Sequence, residues 1–415
     1  MSSSVSTSRT LEHRVRPAAA IAAVESPTRA RLSLVLLLYF LGTILVMTLA
    51  PFHFEIPKTY RVLYTGGAFD IFANVMLFVP LGFLYPLTRP SRDEVSPIHV
   101  VLVAALISGT IEVIQLFEID RYTSVIDLIT NASGAGLGAV IARLTARRIS
   151  VNAKLVGRLS LEIPLIGLIY LMMPMLLVAS MDAAVGSLRL IAVIPLAFVG
   201  ARLISAVQRN HFARSGLLTN AGAGVVAGVW ALLGTFPLLL RHPYFGAATV
   251  LGTGLTTWWE AWRQPPVEGP DRRFETEALR SVAPHIAVYV LAVILLPLAS
   301  GVDSFHFRMA LTGANGDIDL QQIQLLVPVA TTTVLGYLLA EARGRLEMRF
   351  WKITMRVVAE CACVAVALET SRGFQRGVGA SGSQLILMLA AALLGACIYY
   401  NQREHVRWIL ANRRG

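Results

Sequence analysis

The chain has 415 residues, of which 55% are hydrophobic and 15% charged, with a mean hydropathy of +0.63 and a formal net charge of +11. A soluble domain carries about 25% charged residues, so this chain lacks the polar shell that several soluble cores would need, and a cytosolic multidomain protein is excluded. No lysine-rich block accompanies the charge, so it does not point to nucleic acid, and the composition predicts an all-α, polytopic transmembrane helical bundle.

Residues 1–31 are rich in Ser and Arg and are expected to form a disordered basic tail. Twelve apolar stretches follow, near 32–51, 71–88, 98–117, 124–143, 162–181, 187–206, 217–237, 243–260, 282–300, 321–341, 353–370 and 382–401. Each approaches the roughly 20 residues that a spanning helix needs. The first is too long for a cleavable signal and reads as an uncleaved helix. The eighth is the weakest, with Gly252 and Gly254, and its Trp258 and Trp259 suit an interfacial belt. The expected organisation is a four-helix membrane domain at 32–145, a middle four-helix block at 160–262, a cytoplasmic loop at 263–281, a second four-helix unit at 282–401 and a basic tail at 402–415.

Basic residues predict the orientation. With the N-terminus inside and the loops alternating, 28 of the 36 Lys and Arg fall on the inner side and 8 on the outer. That asymmetry follows the positive-inside rule and predicts both termini in the cytoplasm.

Polar side chains inside a bilayer are costly, and those that persist usually face the bundle interior and mark function. The second, third and fourth stretches concentrate them. Asp70 and Asn74 are four residues apart and share a helix face, Glu112 and Gln115 are three apart, and Asp127, Asn131, Gly134 and Gly138 form one stripe. The predicted topology puts all of these in the outer half of the membrane, level with His53 and with Arg121 in the loop before the fourth stretch. Pro80 and Gly82 are expected to kink the second helix and let a neighbour approach, and Gly134 and Gly138 to form a close-packing surface.

The pattern Asp70, Asn74, Phe78-Val79-Pro80-Leu81-Gly82, then Glu112, Gln115, Arg121, Asp127, Asn131, Gly134 and Gly138 resembles the VanZ-like family of bacterial membrane proteins over about residues 35–145. That family is named after a protein linked to low-level teicoplanin resistance. The resemblance implies a bacterial inner-membrane protein with an envelope-related role, and it implies no particular reaction.

A second copy of the pattern lies near the C-terminus. Glu112, Phe117, Ser124 and Gly138 return as Glu369, Phe374, Ser381 and Gly395 at a constant offset of 257. Arg372 stands for Gln115, Gln384 for Asp127 and Met388 for Asn131. Pro51-Phe-His53-Phe-Glu55 is matched to Ser304-Phe-His306-Phe-Arg308, and Phe78-Val79-Pro80 to Leu326-Val327-Pro328, which pairs Gln322 with Asn74. This copy reads as a degenerate repeat, with Arg372 placed to pair with Glu369. In the middle block, Thr219-Asn220-Ala221 echoes Thr130-Asn131-Ala132 and reads as coincidence.

Glu112 and Asp127 are the candidate general acid/base pair, since carboxyls in a low-dielectric site suit proton transfer. His53, Asp70, Asn74, Gln115, Arg121 and Asn131 are candidates for substrate binding. The alternative is a structural polar network. His53 suits a hydrogen-bonded interfacial role better than a metal site. Cys361, Cys363 and Cys397 read as small packing residues. No phosphate-binding Gly-rich loop, His-Glu-x-x-His or Gly-x-Ser-x-Gly motif is present, and no cofactor or metal is expected. The favoured reading is a site in the outer leaflet for a lipid-linked or cell-wall compound. The alternatives are a secondary transporter and a non-enzymatic scaffold for other membrane proteins.

Overall fold

A backbone in hydrocarbon has no water to satisfy its N–H and C=O groups, so a chain this apolar folds as helices that satisfy their own. The computed structural model describes residues 27–49, 54–56, 62–64, 66–89, 95–118, 122–150, 163–213, 218–263, 273–299, 301–309, 318–344, 349–376 and 378–412. Its helices in chain order are α1 (Pro27–Leu49), α2 (Ala68–Leu84), α3 (Pro97–Gln115), α4 (Val125–Ser150), α5 (Ile163–Val185), α6 (Leu190–Val207), α7 (Asn220–Gly234), α8 (Phe236–Arg241), α9 (Pro243–Arg263), α10 (Arg273–Ala299), α11 (Ile318–Gly344), α12 (Phe350–Phe374) and α13 (Gly382–Asn412). Each of the twelve apolar stretches falls on a helix. Among the described residues, eight helices are long and apolar enough to cross a membrane, and Ala30–Leu45 and Asn220–Gly234 are shorter apolar helical stretches. The protein is an all-α helical bundle that carries multiple membrane helices.

Several boundaries differ from expectation, each for a local reason. Helix α1 starts at Pro27, because proline is preorganised for a first helical position. Helix α10 starts at Arg273, inside the expected loop 263–281. The expected tail 402–415 is helical to Asn412, because Gln402, His405 and Val406 are buried and extend the packed face of α13. The expected disorder of the N-terminal tail lies mostly outside the described residues.

Two four-helix sets flank a middle block. In the first, α2 and α4 run side by side in the same direction, and α3 packs on α4. In the second, α11 and α13 form the matching pair with α12 beside them. The first set has its own core, which includes Ile44, Phe78, Leu81, Ile111, Ala135 and Ala139. A larger core joins α5, α6 and the second set, through Leu171, Met172, Leu196, Tyr289, Tyr337 and Tyr399 among others. Helix α1 belongs to both: Leu32, Leu36 and Phe40 face the large core, and Ile44, four residues further on the same face, enters the small one.

Both close-packed pairs rest on missing side chains. A Cβ on Gly138 would lie 2.1 Å from the Val79 carbonyl oxygen, and one on Gly134 2.2 Å from that of Val75. A Cβ on Gly82 would lie 1.9 Å from the Ala135 oxygen. In the second set, Gly395 approaches the Thr333 oxygen at 2.1 Å and Gly336 the Ala392 oxygen at 2.3 Å. Gly82, Gly134 and Gly138 thus sit where the backbones of α2 and α4 approach most closely among these contacts. Pro80 lies inside α2, in the turn that precedes Gly82.

This seam corrects the register of the repeat. Val79, Gly82 and Phe83 correspond to Thr333, Gly336 and Tyr337, an offset of 254. Asp70 thus corresponds to Gln324 and Asn74 to Pro328, six residues from the pairing read off the Val-Pro dipeptide. Gln322 stands opposite Ala68, not Asn74, and its side chain lies outside the described residues. The Thr130/Thr219 echo has no structural basis: Thr219 caps α7 through the Gly222 N–H at 3.0 Å, whereas the Thr130 hydroxyl donates to the Ile126 carbonyl within α4.

Candidate polar site and its second copy

The polar residues of the first set gather where α2 begins, α3 ends and α4 begins. Two-residue strands tie the loops there: β1 (Val62–Leu63) pairs in parallel with β2 (Thr123–Ser124), and Phe54 bridges to Glu118. The second set repeats this with β3 (Phe307–Arg308) against β4 (Ala380–Ser381) and Val302 bridged to Gln375. These pairings place Val302 opposite Phe54 and Phe307–Arg308 opposite Val62–Leu63. His306 therefore matches position 61, not His53, and the Phe-His-Phe likeness is not a structural correspondence. His53 and Arg121 lie outside the described residues.

Ser124 is the cap of α4, its hydroxyl accepting from the Asp127 N–H at 3.3 Å. In a capping box the third helical residue reaches back to the N–H of the cap. Here Glu112, from α3, does so instead, and its Oε2 accepts from the Ser124 N–H at 2.7 Å. Asp127, half-buried, sits within electrostatic reach of Glu112. The Thr123 hydroxyl also donates to the Glu112 carbonyl at 3.1 Å. Glu112 therefore locks the end of α3 to the start of α4 with one oxygen. Its other oxygen makes no hydrogen bond among the described residues.

One turn deeper, the Asn131 amide donates to the Ser108 hydroxyl at 2.9 Å. Asn131 Oδ1 is buried and has no hydrogen-bond partner among the described residues. Ser108 and Glu112 share a face of α3, and Asn131 and Asp127 a face of α4, so the two rungs line one strip. Gln115 turns away from that strip and donates to the Thr48 carbonyl of α1 at 2.8 Å. Asp70, exposed, accepts from the Gly67 N–H at 3.1 Å at the start of α2. A Cβ on nearby Gly66 would meet Ile126 at 3.4 Å, which puts the start of α2 beside Asp127. Asn74 is half-buried on α2. The structure thus brings Glu112, Asp127 and Asn131 together, leaves Asp70 at the nearby start of α2 with its own cap contact, and gives Gln115 a bracing contact instead.

The second set keeps the lock and changes its surroundings. Glu369 Oε2 accepts from the Ser381 N–H at 2.6 Å, and the Ser381 hydroxyl from the Gln384 N–H at 3.1 Å. Arg372 donates to Glu369 Oε1 at 3.1 Å, as its spacing predicts. The Gln384 amide donates to the Gln324 carbonyl at 2.8 Å. Ser108 and Asn131 correspond to Ala365 and Met388, which belong to a dry apolar cluster with Leu368. Ser108 is the member of these sites that motif reading passed over, and Ser124 and Arg308 enter it only as marks of the repeat. An isolated Ser or Arg carries no spacing signal, although the fixed offset of 257 ties Ser108 to Ala365.

The cysteines are free thiols, and among the described residues no group of three His, Cys, Asp or Glu side chains is placed to hold a metal. No curated protein and no solved structure gives a significant match to the chain. Residues 18–146, which run from the basic tail through α4, match the family model described as VanZ/LLP1. The polar strip, its glycine seam and the Glu112 lock all lie within that match, and over this segment the chain is similar to the VanZ/LLP1 family.

Proposed function

We propose that the VanZ-like segment binds the polar head of a lipid-linked or cell-wall compound in the outer leaflet of a bacterial inner membrane, through Glu112, Asp127, Asn131 and Asp70. The observation that carries this reading is the buried Asn131 acceptor without a partner, beside the uncommitted oxygen of Glu112. A buried acceptor left unpaired costs about 1–3 kcal/mol, and a ligand hydroxyl or amino group would satisfy it. The positions that match Ser108 and Asn131 are apolar in the second set, so helix packing alone does not demand that polar pair. Acceptors dominate the strip, which favours a head group rich in donors. The outer-leaflet depth rests on the 28 to 8 distribution of basic residues. A transporter reading is weaker, because Glu112 and Glu369 are built into separate helix sets.

The test purifies the full chain with its native lipids and identifies co-purifying amphiphiles by mass spectrometry. Asp127→Asn and Asn131→Met, inserted and folded normally, should lose a compound that the wild type retains, and lose any envelope-stress phenotype with it. Wild-type retention and phenotype in both variants would overturn the proposal.

A further inference from the structure

The two sets share one scaffold, and around the shared lock the second carries the more positive charge. Where the first has Gln115, Leu63, Asp127, Asp70 and Glu118, the second has Arg372, Arg308, Gln384, Gln324 and Gln375. Each of these replacements removes a negative charge or adds a positive one, while the structural glutamate and its serine partner are kept.

The new cations are only partly neutralised. Arg372 is buried and spends one nitrogen on Glu369. Asp182, at the end of α5, is within electrostatic reach of Arg372 but is held in an ion pair by Arg189. Arg308 is within electrostatic reach of both Glu369 and Arg372, and its side chain has no hydrogen bond or ion pair among the described residues. Its Nε is fully buried without a partner. Burial pushes the Arg308 pKa down and the Glu369 charge opposes that shift, but a guanidinium stays charged in either case. Arg308 is half-buried, and its buried, unpaired Nε is unfavourable until an acceptor such as an oxyanion completes it. Its planar fork matches phosphate oxygens.

The segment around Arg308 presents two kinds of side chain. Phe305, Phe307 and Met309 are 48%, 62% and 64% exposed and alternate with His306 and Arg308. Extended backbone sends alternate residues to opposite faces. An apolar face beside an unpaired arginine suits a bilayer interface, where a phosphate sits directly above acyl chains.

We propose that the C-terminal set is a second site, which takes a phosphate-bearing anion on Arg308 and Arg372. It is chemically opposite to the acidic strip of the VanZ-like segment, and it does not depend on the reading of that strip.

The test reconstitutes the full chain into phosphatidylcholine nanodiscs. One arm titrates spin-labelled phosphatidylglycerol, and the other titrates inorganic phosphate and glycerol phosphate while thermal stability is followed. Arg308→Gln removes no side-chain hydrogen bond or ion pair among the described residues and should fold as the wild type does, which its melting curve checks. Loss of a charged hydrogen-bond partner should weaken binding about tenfold, with Arg308→Lys intermediate. Asp127→Asn, in the other set, should bind as the wild type. A response confined to the lipid arm assigns the phosphate to a membrane lipid, and one confined to the soluble arm assigns it to a free phosphate compound. Equal binding by Arg308→Gln and wild type in both arms overturns the proposal, as does an equal loss in Asp127→Asn.

Discussion

The α2/α4 seam allows a sharp test, because two helical glycines have opposite surroundings. A Cβ at Gly138 would sit 2.1 Å from the Val79 carbonyl oxygen and 2.7 Å from the Phe83 nitrogen, against the 3.0 Å that real Cβ contacts respect. Both neighbours are backbone, so no rotamer change relieves the clash, and the helices must part by about 1 Å. A radial gap of 0.5–1 Å forfeits roughly a quarter to a half of each dispersion contact, and overpacking of this kind costs about 1–3 kcal/mol. Alanine recovers up to about 1 kcal/mol of helix propensity over glycine. The expected net loss for Gly138→Ala is about 1–2 kcal/mol. At Gly42 in α1 a Cβ meets nothing within 4 Å, so Gly42→Ala keeps only the propensity gain of at most about 1 kcal/mol. The two variants should differ by about 2–3 kcal/mol in denaturant titrations of the purified chain in one detergent, followed by circular dichroism. A Gly138→Ala protein as stable as wild type, or a Gly42→Ala protein equally damaged, would refute the seam.

Three more expectations follow from the paired sites. Ser108→Ala and Asn131→Met each break a buried polar pair and should cost about 1–2 kcal/mol alone, whereas the double variant, which copies Ala365 and Met388, should recover most of the loss in a double-mutant cycle. Glu369→Ala strands the buried Arg372 and should lose about 3–5 kcal/mol in the same titration, while Glu112→Gln keeps an acceptor for the Ser124 N–H and should lose less than about 1 kcal/mol. In intact cells with the native cysteines replaced by alanine, a cysteine at Tyr64 should react with a membrane-impermeant maleimide, and one at Arg407 should react only after permeabilisation. The reverse pattern would overturn the orientation.

Helix positions were legible in the sequence because a bilayer imposes one length and one composition on every segment. The polar strip was legible because charge is scarce here, so Asp70, Glu112 and Asp127 stand out. Register was less so. The Val-Pro dipeptides at 79–80 and 327–328 invite alignment, but proline does not set how two helices mesh. The glycines do, and Gly82 with Gly336 and Gly138 with Gly395 carry the true correspondence. The loop strands were invisible because two residues are too few to show a period. Gln115 looked like part of the site by spacing, yet the neighbour it meets is α1, a contact no local pattern encodes.

The single stripe of α1, with Leu32, Leu36 and Phe40 in one core and Ile44 in another, has a consequence for how this protein can be taken apart. The boundary of the VanZ-like match runs through sequence, but the mechanical boundary runs across the middle of a helix. Excised at residue 150, the segment would carry a sticky apolar half-face made for a partner it no longer has, and the remainder would be left with an open slot. Transplanting the segment into another protein would require rewriting Leu32, Leu36, Tyr39 and Phe40 on α1 and Leu84 on α2 for lipid instead of helix. The match is thus a unit of resemblance that the fold does not treat as a unit of assembly.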